Sequence, residues 1–156
     1  MPPLADPTAA ALKPAANDSI GVLIGDAARL LRRRFDARAR RIGVSRAQWQ
    51  VLFALSRSEG INQAALAERL EVETITVGRM VDRLEDAGLV ERRADPADRR
   101  VWRLFLCPRA HPILAELQGV VTEVRAEMLA GLAADEQAQL QQLLTQVRAN
   151  LSAREG

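Results

Sequence analysis

Hydrophobic residues recur at helical spacing through most of the chain. The first run predicts an amphipathic helix over about residues 19–41, because its apolar positions follow one another at intervals of three and four. Gly43 ends this helix, and Ser45 is a suitable N-cap for a second helix over about 46–58. The apolar positions are Ile20, Leu23, Ala27, Leu30, Leu31 and Phe35 in the first helix and Trp49, Val51, Leu52, Phe53 and Leu55 in the second.

Two shorter helices follow. Asn62 is a suitable N-cap for a helix over 63–70, and a new amphipathic helix begins near Thr74 and ends before Gly88. The inner face of this second helix carries Val77, Met80, Val81, Leu84 and Ala87. Two helices joined by a turn of three or four residues, the second opening on small polar residues, are typical of a helix-turn-helix.

The hydrophobic period then changes from 3.6 to 2. Residues 89–93 and 100–107 are predicted strands, and the turn-rich, basic segment 94–99 is the tip of their hairpin. A hairpin directly after a helix-turn-helix is a wing. Two further helices are expected over about 110–131 and 135–153, the last with a stripe of Leu140, Leu143, Leu144, Val147 and Leu151. The predicted fold is mainly α with a small β-hairpin wing.

This pattern divides the chain into four parts. Residues 1–18 are rich in proline and alanine and are predicted to form a disordered arm. Residues 19–44 hold the first helix, 45–108 the winged helix-turn-helix, and 109–153 the C-terminal helices. Because the outer helices exceed what is needed to cover the middle part, we expect them to bury against a second copy of the chain. The predicted state is a homodimer.

Composition excludes several classes of protein. The chain of 156 residues has one cysteine, Cys107, and one histidine, His111, which leaves no intramolecular disulfide and no cysteine or histidine cluster for a metal. Pro108 and Pro112 interrupt a helical Cys107–His111 pair, so we expect neither a metal site nor another cofactor. No leader-like start and no run of 18 apolar residues is present, so we expect a cytoplasmic protein without a membrane partner.

The net charge of +2 conceals a strong partition along the chain. Residues 29–109 carry 18 arginines against 11 acidic residues, a net charge of +7, whereas residues 110–156 carry a net charge of −3. A basic segment of this size suits the neutralisation of nucleic-acid phosphates. Of the 22 basic residues 21 are arginine, an excess for which groove chemistry and genome composition are alternative explanations.

The run over 74–93, followed by Asp-Pro-Ala-Asp-Arg-Arg at 95–100, is similar to a known family. It resembles the recognition helix, the Leu-Glu-x-x-Gly-Leu-Val-x-Arg segment and the Asp-x-Arg wing signature of the MarR family of winged-helix transcriptional regulators, in particular its SlyA-like branch. The resemblance covers residues 20–152. It implies a homodimeric, sequence-specific regulator that binds a palindromic operator in double-stranded DNA.

The resemblance also implies roles for individual residues. Arg79 matches the recognition-helix arginine, and its guanidinium suits guanine O6 and N7. The carboxylate of Asp98 would orient Arg100 into the minor groove, with Arg99 as the alternative inserted residue. The full set of implied DNA-contacting residues is Gln63, Thr74, Thr76, Arg79, Arg83, Asp98, Arg99 and Arg100. Gln63 is interpreted equally well as an ordinary residue at the start of a helix. Arg83 is interpreted equally well as a solvated surface charge.

An effector site is implied in the same way. Members of the family often respond to small aromatic or lipophilic acids, and Arg29, Trp49 and Phe53 are the candidates for an anion anchor and an apolar wall. The alternative for Trp49 and Phe53 is an ordinary place in the core. Repression released by the effector is the commoner outcome in the family. Peroxide sensing is not expected, because the chain has no tyrosine and no cysteine on the first helix.

Two rival functions remain. An enzyme is disfavoured by the single histidine and by the lack of a glycine-rich phosphate loop or nucleophile elbow. A winged-helix module that binds protein rather than DNA is disfavoured by the basic middle segment and the Asp-x-Arg pair.

Overall fold

The computed structural model describes residues 19–153, and the predicted arm over 1–18 lies outside them. All eight predicted elements are present in this part of the chain, in the predicted order. They are α1 (Ile20–Arg41), α2 (Arg46–Arg57), α3 (Gln63–Leu70), α4 (Thr74–Asp86), β1 (Val90–Ala94), β2 (Trp102–Leu106), α5 (Ala110–Met128) and α6 (Ala134–Ser152). The fold is mainly α with one antiparallel hairpin, as predicted.

Local capping explains where several helices begin and end. The Ser45 hydroxyl accepts a hydrogen bond from the Gln48 amide while the Gln48 side chain accepts one from the Ser45 amide, which completes a capping box. The Asn62 side chain accepts from the Ala65 amide at 2.8 Å. Gly88 follows α4 with a φ of 71°, in the left-handed conformation that glycine adopts without strain. These three predicted caps are confirmed.

Helix α5 differs from its predicted bounds at one end. It begins at Ala110 without a side-chain cap; instead the Ala110 amide donates to the Cys107 carbonyl at 2.9 Å. The helix ends at Met128, three residues earlier than predicted, because the chain turns through Gly131 at a φ of 83°. The first turn of α5 therefore starts from a backbone turn after β2.

The hairpin has a longer tip than predicted. Ala94 pairs with Trp102 and Val90 with Leu106, so β2 starts two residues later than expected. The Asp95 amide donates to the Val101 carbonyl at 2.9 Å and closes the tip. On the side of β2 away from β1, residues 60–62 pair with this strand as a short third segment. The Leu104 amide donates a hydrogen bond to the Ile61 carbonyl at 3.0 Å, and Asn62 forms an isolated antiparallel bridge with Arg103.

One core joins the C-terminal part of α1 with α2, α3, α4, the hairpin and α5. The largest side chains in it are fully buried, and each contributes roughly 1.5–3 kcal/mol relative to an exposed side chain. They are Leu52, Leu55, Leu66, Leu84, Leu104 and Leu117. This core fixes the positions of α4 and the wing relative to each other.

The outer helices are different. Helix α6 has no buried residue, and Leu140, Leu143, Leu144 and Leu151 of its predicted stripe are 38–69% exposed. On α1, Phe35 and Ala39 are buried but Ile20 is 75% exposed, and Leu23 and Leu30 are also exposed. Large apolar faces on α1 and α6 are therefore left uncovered within one copy of the described chain.

Candidate DNA-binding surface

Helix α4 has a buried face and an outward face. Val77, Val81 and Leu84 are at most 1% exposed and anchor the helix in the core. At 100° per residue, Ile75 and Arg79 lie on the side opposite Val77, and both are exposed. Thr74, Thr76 and Arg83 are exposed as well. The N-terminal half of α4, which is the part that recognition helices direct at base edges, therefore faces solvent.

The charges on this outward face are largely free. Neither Arg79 nor Arg83 forms an ion pair with any residue in the range 19–153. Asp82, which precedes Arg83 on the same helix, accepts a hydrogen bond from Arg92 at 2.7 Å. The two arginines are consequently available to an external anion or base edge.

Arg92 on β1 ties the wing to α4. Its guanidinium donates to Asp82 at 2.7 Å, to Glu85 at 2.6 Å and to the Gly78 carbonyl at 3.2 Å, and its side chain is only 17% exposed. Burial alone would lower the pKa of Arg92, but the hydrogen bonds to Asp82 and Glu85 outweigh it and raise the pKa. Arg92 therefore fixes the wing against the recognition helix and neutralises two carboxylates beside it.

Gln63 and Gly78 meet where α3 crosses α4. A Cβ on Gly78 would lie 3.1 Å from the Gln63 side-chain nitrogen, which is tighter than an ordinary contact. Glycine in a helix interior costs about 1 kcal/mol relative to alanine, and the approach of Gln63 explains why it is present. The half-buried Gln63 amide thus lies against α4 at the edge of the outward face.

The Asp-x-Arg pair at the wing tip forms as predicted. The Arg100 side chain donates to Asp98 at 3.1 and 3.3 Å, and the Arg100 amide donates to the same carboxylate at 3.0 Å. These hydrogen bonds lower the pKa of Asp98. The Arg100 side chain is 90% exposed, so it is oriented by Asp98 and still open to solvent. Arg99 beside it is exposed too.

A second carboxylate fixes the base of the tip. Asp95 accepts from the Ala97 amide at 2.8 Å and from Arg103 Nε at 2.6 Å, and these bonds lower the pKa of Asp95. Arg103 also donates to the Gly60 carbonyl at 2.9 Å. The tip is therefore held from both sides of β2, which restricts where Arg99 and Arg100 project.

Two exposed apolar residues were missed by the sequence analysis. Ile75 is 69% exposed on α4, and Trp102 is 47% exposed at the start of β2. By strand alternation, Trp102 shares a face of the hairpin with Leu104, whose pairing partner Arg92 reaches α4. The exposure of Ile75 could have been predicted from the sequence, because Ile75 lies outside the apolar stripe of α4. Trp102 had no comparable signal, because its period-2 pattern also fits a core position.

A separate cavity of about 330 Å³ lies between α1, α2 and α5. Trp49 and Phe53 line it, with ring centroids 6.0 Å apart, and both also pack against the core. Arg29 does not line it, because it lies further up α1 and donates to Asp26 at 3.0 Å. The arginines at the cavity are Arg32 and Arg125. The lining residues are Leu31, Arg32, Phe35, Trp49, Phe53, Val121, Val124, Arg125 and Met128.

Asp36 positions Trp49, one of the residues that line this cavity. It is buried on α1 and accepts from Trp49 Nε1 at 2.9 Å and from Arg46 Nε at 2.8 Å. Burial alone would raise the pKa of Asp36, but the hydrogen bonds from Arg46 and Trp49 outweigh it and lower the pKa. The same indole therefore lines the cavity and joins α1 to α2.

The lowered pKa of Asp36 has a measurable consequence. The ionised carboxylate stabilises the fold at pH values above about 4, where aspartate in an unfolded chain is ionised, and this contribution is lost as the pH falls through the lower pKa of the folded state. We expect Asp36→Asn to reduce the free energy of unfolding at pH 7 and to make it less dependent on pH in the acid range. Urea unfolding followed by circular dichroism between about pH 3 and 7 measures both effects. Asp26→Asn, at an exposed carboxylate of the same helix, is the control, and equal behaviour of the two variants would contradict the expectation.

Cys107 and His111 lie on either side of the start of α5. Cys107 follows β2, whereas His111 is exposed in the first turn of α5. Burial, with Glu91 as a lesser cause, raises the pKa of the Cys107 thiol, which disfavours the reactive thiolate. Among residues 19–153, no three His, Cys, Asp or Glu side chains come together as metal ligands. No helix in that range is both long and apolar enough to cross a bilayer.

These features define a winged-helix DNA-binding protein: an outward recognition helix, a wing with an oriented arginine at its tip, and a shared core that holds the two together. A model of the MarR family matches residues 42–101, from the end of α1 through the wing tip. The transcriptional regulator PA3341, known from its crystal structure, is 36% identical; the match covers 87% of this chain and all of that one, with a TM-score of 0.76. The chain belongs to the MarR family, and it is a transcriptional regulator rather than an enzyme.

Two further structures place it within the family. A mutant of MarR from E. coli, in complex with operator DNA, is 29% identical over 81% of this chain and 91% of that one, with a TM-score of 0.70. SlyA is 25% identical over 87% and 96%, with a TM-score of 0.74. The identity to SlyA is lower than that to the E. coli MarR mutant, so the SlyA-like branch stays a prediction.

Proposed function

We propose that this regulator is a homodimer that binds a palindromic operator and is released from it by a small apolar acid. The observation that carries the proposal is the outward N-terminal half of α4, where Arg79 is exposed on the helix to which Arg92 ties the wing. Arg79 would read guanine in the major groove. Thr74, Thr76, Gln63 and Arg83 would contact adjacent bases or phosphates.

The wing supplies the second contact. Arg100, oriented by Asp98, would enter the minor groove, where the negative potential attracts a guanidinium, and Arg99 would contact the adjacent phosphate. Because the base of the tip is fixed by Asp95 and Arg103, the wing meets DNA as a formed element. Less ordering entropy is then lost on binding.

The dimer follows from the uncovered apolar faces. The exposed leucines of α6 and the exposed apolar residues of α1 lie outside the core of the winged part. Contiguous apolar surface of this kind marks a protein interface. A second copy, related by a two-fold axis, would cover both faces and would place two recognition helices at half-sites about one DNA turn apart.

The cavity between α1, α2 and α5 is the proposed effector site. Its wall is almost wholly apolar, and Arg32 and Arg125 are the charged residues among those that line it. An aromatic or lipophilic acid fits that chemistry. Because α1 belongs to the dimer contact and α2 to the DNA-binding part, a ligand that separates them would disfavour the arrangement that fits the operator. Repression relieved by the ligand is the proposed outcome.

Selection of bound duplexes from a random library with the purified protein tests this function. We expect recovery of one palindromic sequence and, in fluorescence anisotropy, tighter binding to it than to a scrambled duplex. Recovery of no preferred duplex would contradict operator binding and would favour a module that binds protein. For the effector, we expect an added aromatic acid such as salicylate to weaken operator binding in the wild type and to have less effect on Arg125→Ala.

Arg100 allows a separate test of the wing. We expect Arg100→Ala to weaken binding to the selected and the scrambled duplex to a similar degree, since the minor groove contact is mainly electrostatic. The slope of log K against log salt should become shallower by about one unit for each arginine removed from the DNA surface. Arg100→Lys retains the charge and should retain most of the slope. An unchanged slope in Arg100→Ala would show that Arg100 does not meet DNA.

A further inference from the structure

Ile75 is an exposed apolar residue on the outward face of α4. It is 69% exposed in the first turn of α4, flanked by the exposed Thr74 and Thr76. Other branched apolar residues of the same helix, Val77, Val81 and Leu84, are at most 1% exposed. The Ile75 side chain is therefore not part of the core of one copy, although burial away from water would stabilise it.

The position of Ile75 points to a ligand group in the major groove. Ile75 and Arg79 are four residues apart and share the outward face, so their Cα atoms are separated by about 6 Å along the helix axis. Successive bases on one DNA strand rise by about 3.4 Å. If Arg79 contacts a guanine, Ile75 lies over a base within about two steps of it. The thymine C5-methyl group is the apolar group that a natural base presents in this groove.

We propose that Ile75 recognises a thymine methyl group in each half-site, within two base pairs of the guanine contacted by Arg79. This inference rests on the proposed operator binding and adds a specificity-determining residue to it. The contact excludes water from both apolar groups. Cytosine has a bare C5–H at the corresponding position and therefore offers Ile75 no methyl group to cover, which distinguishes it from thymine.

Replacement of thymine by deoxyuridine tests the proposal, because it removes only the methyl group. Each symmetric pair of thymines in the selected operator is replaced in turn, and binding is measured by fluorescence anisotropy at fixed salt. For the wild type we expect one symmetric pair, within two positions of the guanine, at which the substitution weakens binding. Burial of one methyl group is worth about 0.8 kcal/mol, which corresponds to about fourfold for one half-site and about fifteenfold for both.

The Ile75 variants show whether this side chain is responsible. In Ile75→Ser, whose side chain has no methyl group, the effect of deoxyuridine at that pair should disappear, and in Ile75→Ala it should be much smaller than in the wild type. In Ile75→Val it should be reduced but still present. Because Ile75 is exposed, all three variants should keep the thermal unfolding midpoint of the wild type, and alanine should favour the helix slightly.

The outcomes separate this inference from the proposed function. If the selected operator has no thymine within two positions of the guanine, or if deoxyuridine is tolerated everywhere, Ile75 does not read a methyl group although operator binding stands. The same conclusion follows if deoxyuridine weakens Ile75→Ala as much as the wild type. If no duplex is preferred at all, operator binding fails and this inference fails with it.

Discussion

Replacing Leu143 and Leu144 with glutamate is expected to convert the protein to monomers and to lower operator affinity by about 10²–10⁴-fold. Both side chains are exposed on α6, at 57% and 45%, and belong to the stripe that we assign to the second copy. Four carboxylates at the dimer contact would have to be desolvated without partners, which disfavours association. A monomer then meets each half-site separately and loses the effective concentration that linkage provides.

A matched control uses the opposite side of the same helix. Gln142 and Ala149 lie away from the leucine stripe and are exposed, so Gln142→Glu with Ala149→Glu adds the same charge outside the proposed contact. Light scattering gives the mass of each variant, circular dichroism confirms that α6 is still helical, and anisotropy gives the operator affinity. A dimeric mass for the leucine variant would show that α6 is not the dimer contact.

The second large effect is expected for Arg79→Ala. The guanidinium forms no ion pair within residues 19–153, so its removal leaves no buried charge behind, and the effect should appear in DNA binding rather than in stability. We expect discrimination between the selected and the scrambled duplex to fall by about 1–3 kcal/mol, the range for a bidentate contact to guanine.

Arg79→Lys separates charge from geometry. Lysine keeps the positive charge but lacks the planar fork that matches guanine O6 and N7, so this variant should bind the scrambled duplex as the wild type does and still lose discrimination. Anisotropy titrations with both duplexes at one salt concentration measure the two quantities. If both variants discriminate as well as the wild type, then α4 does not read bases through Arg79.

Much of the candidate site was accessible from sequence because its determinants are local. The Asp98–Arg100 pair spans two residues, and turn geometry brings the two side chains together wherever the hairpin forms. The resemblance to the MarR family singled out Arg79, and helical spacing agrees with its outward position, since Arg79 lies outside the stripe of Val77 and Val81. Gly88 ends α4 because a left-handed residue is needed there.

Other parts of the site depend on contacts between distant segments. Arg92 was identified as part of a motif, but its bonds to Asp82 and Gly78 join residues 10 and 14 positions apart. Trp49 was treated as an apolar wall, whereas its indole N–H is also bonded to Asp36 on another helix. Arg29 was predicted as the arginine of the effector site because it lies on the first helix. The packing of α1 against α5 instead places Arg32 and Arg125 at the cavity.

The sequence by itself determined the elements of this protein, their order and their caps, because hydrophobic period, glycine and capping residues act over a few positions. It also determined which segment is basic. Only the tertiary structure decided how the wing is joined to α4, why Gly78 faces Gln63, and that Trp102 is left exposed although its strand pattern also fits a core position. These features depend on which surfaces meet when the helices pack, and periodicity along one element carries no information about the surface that it meets.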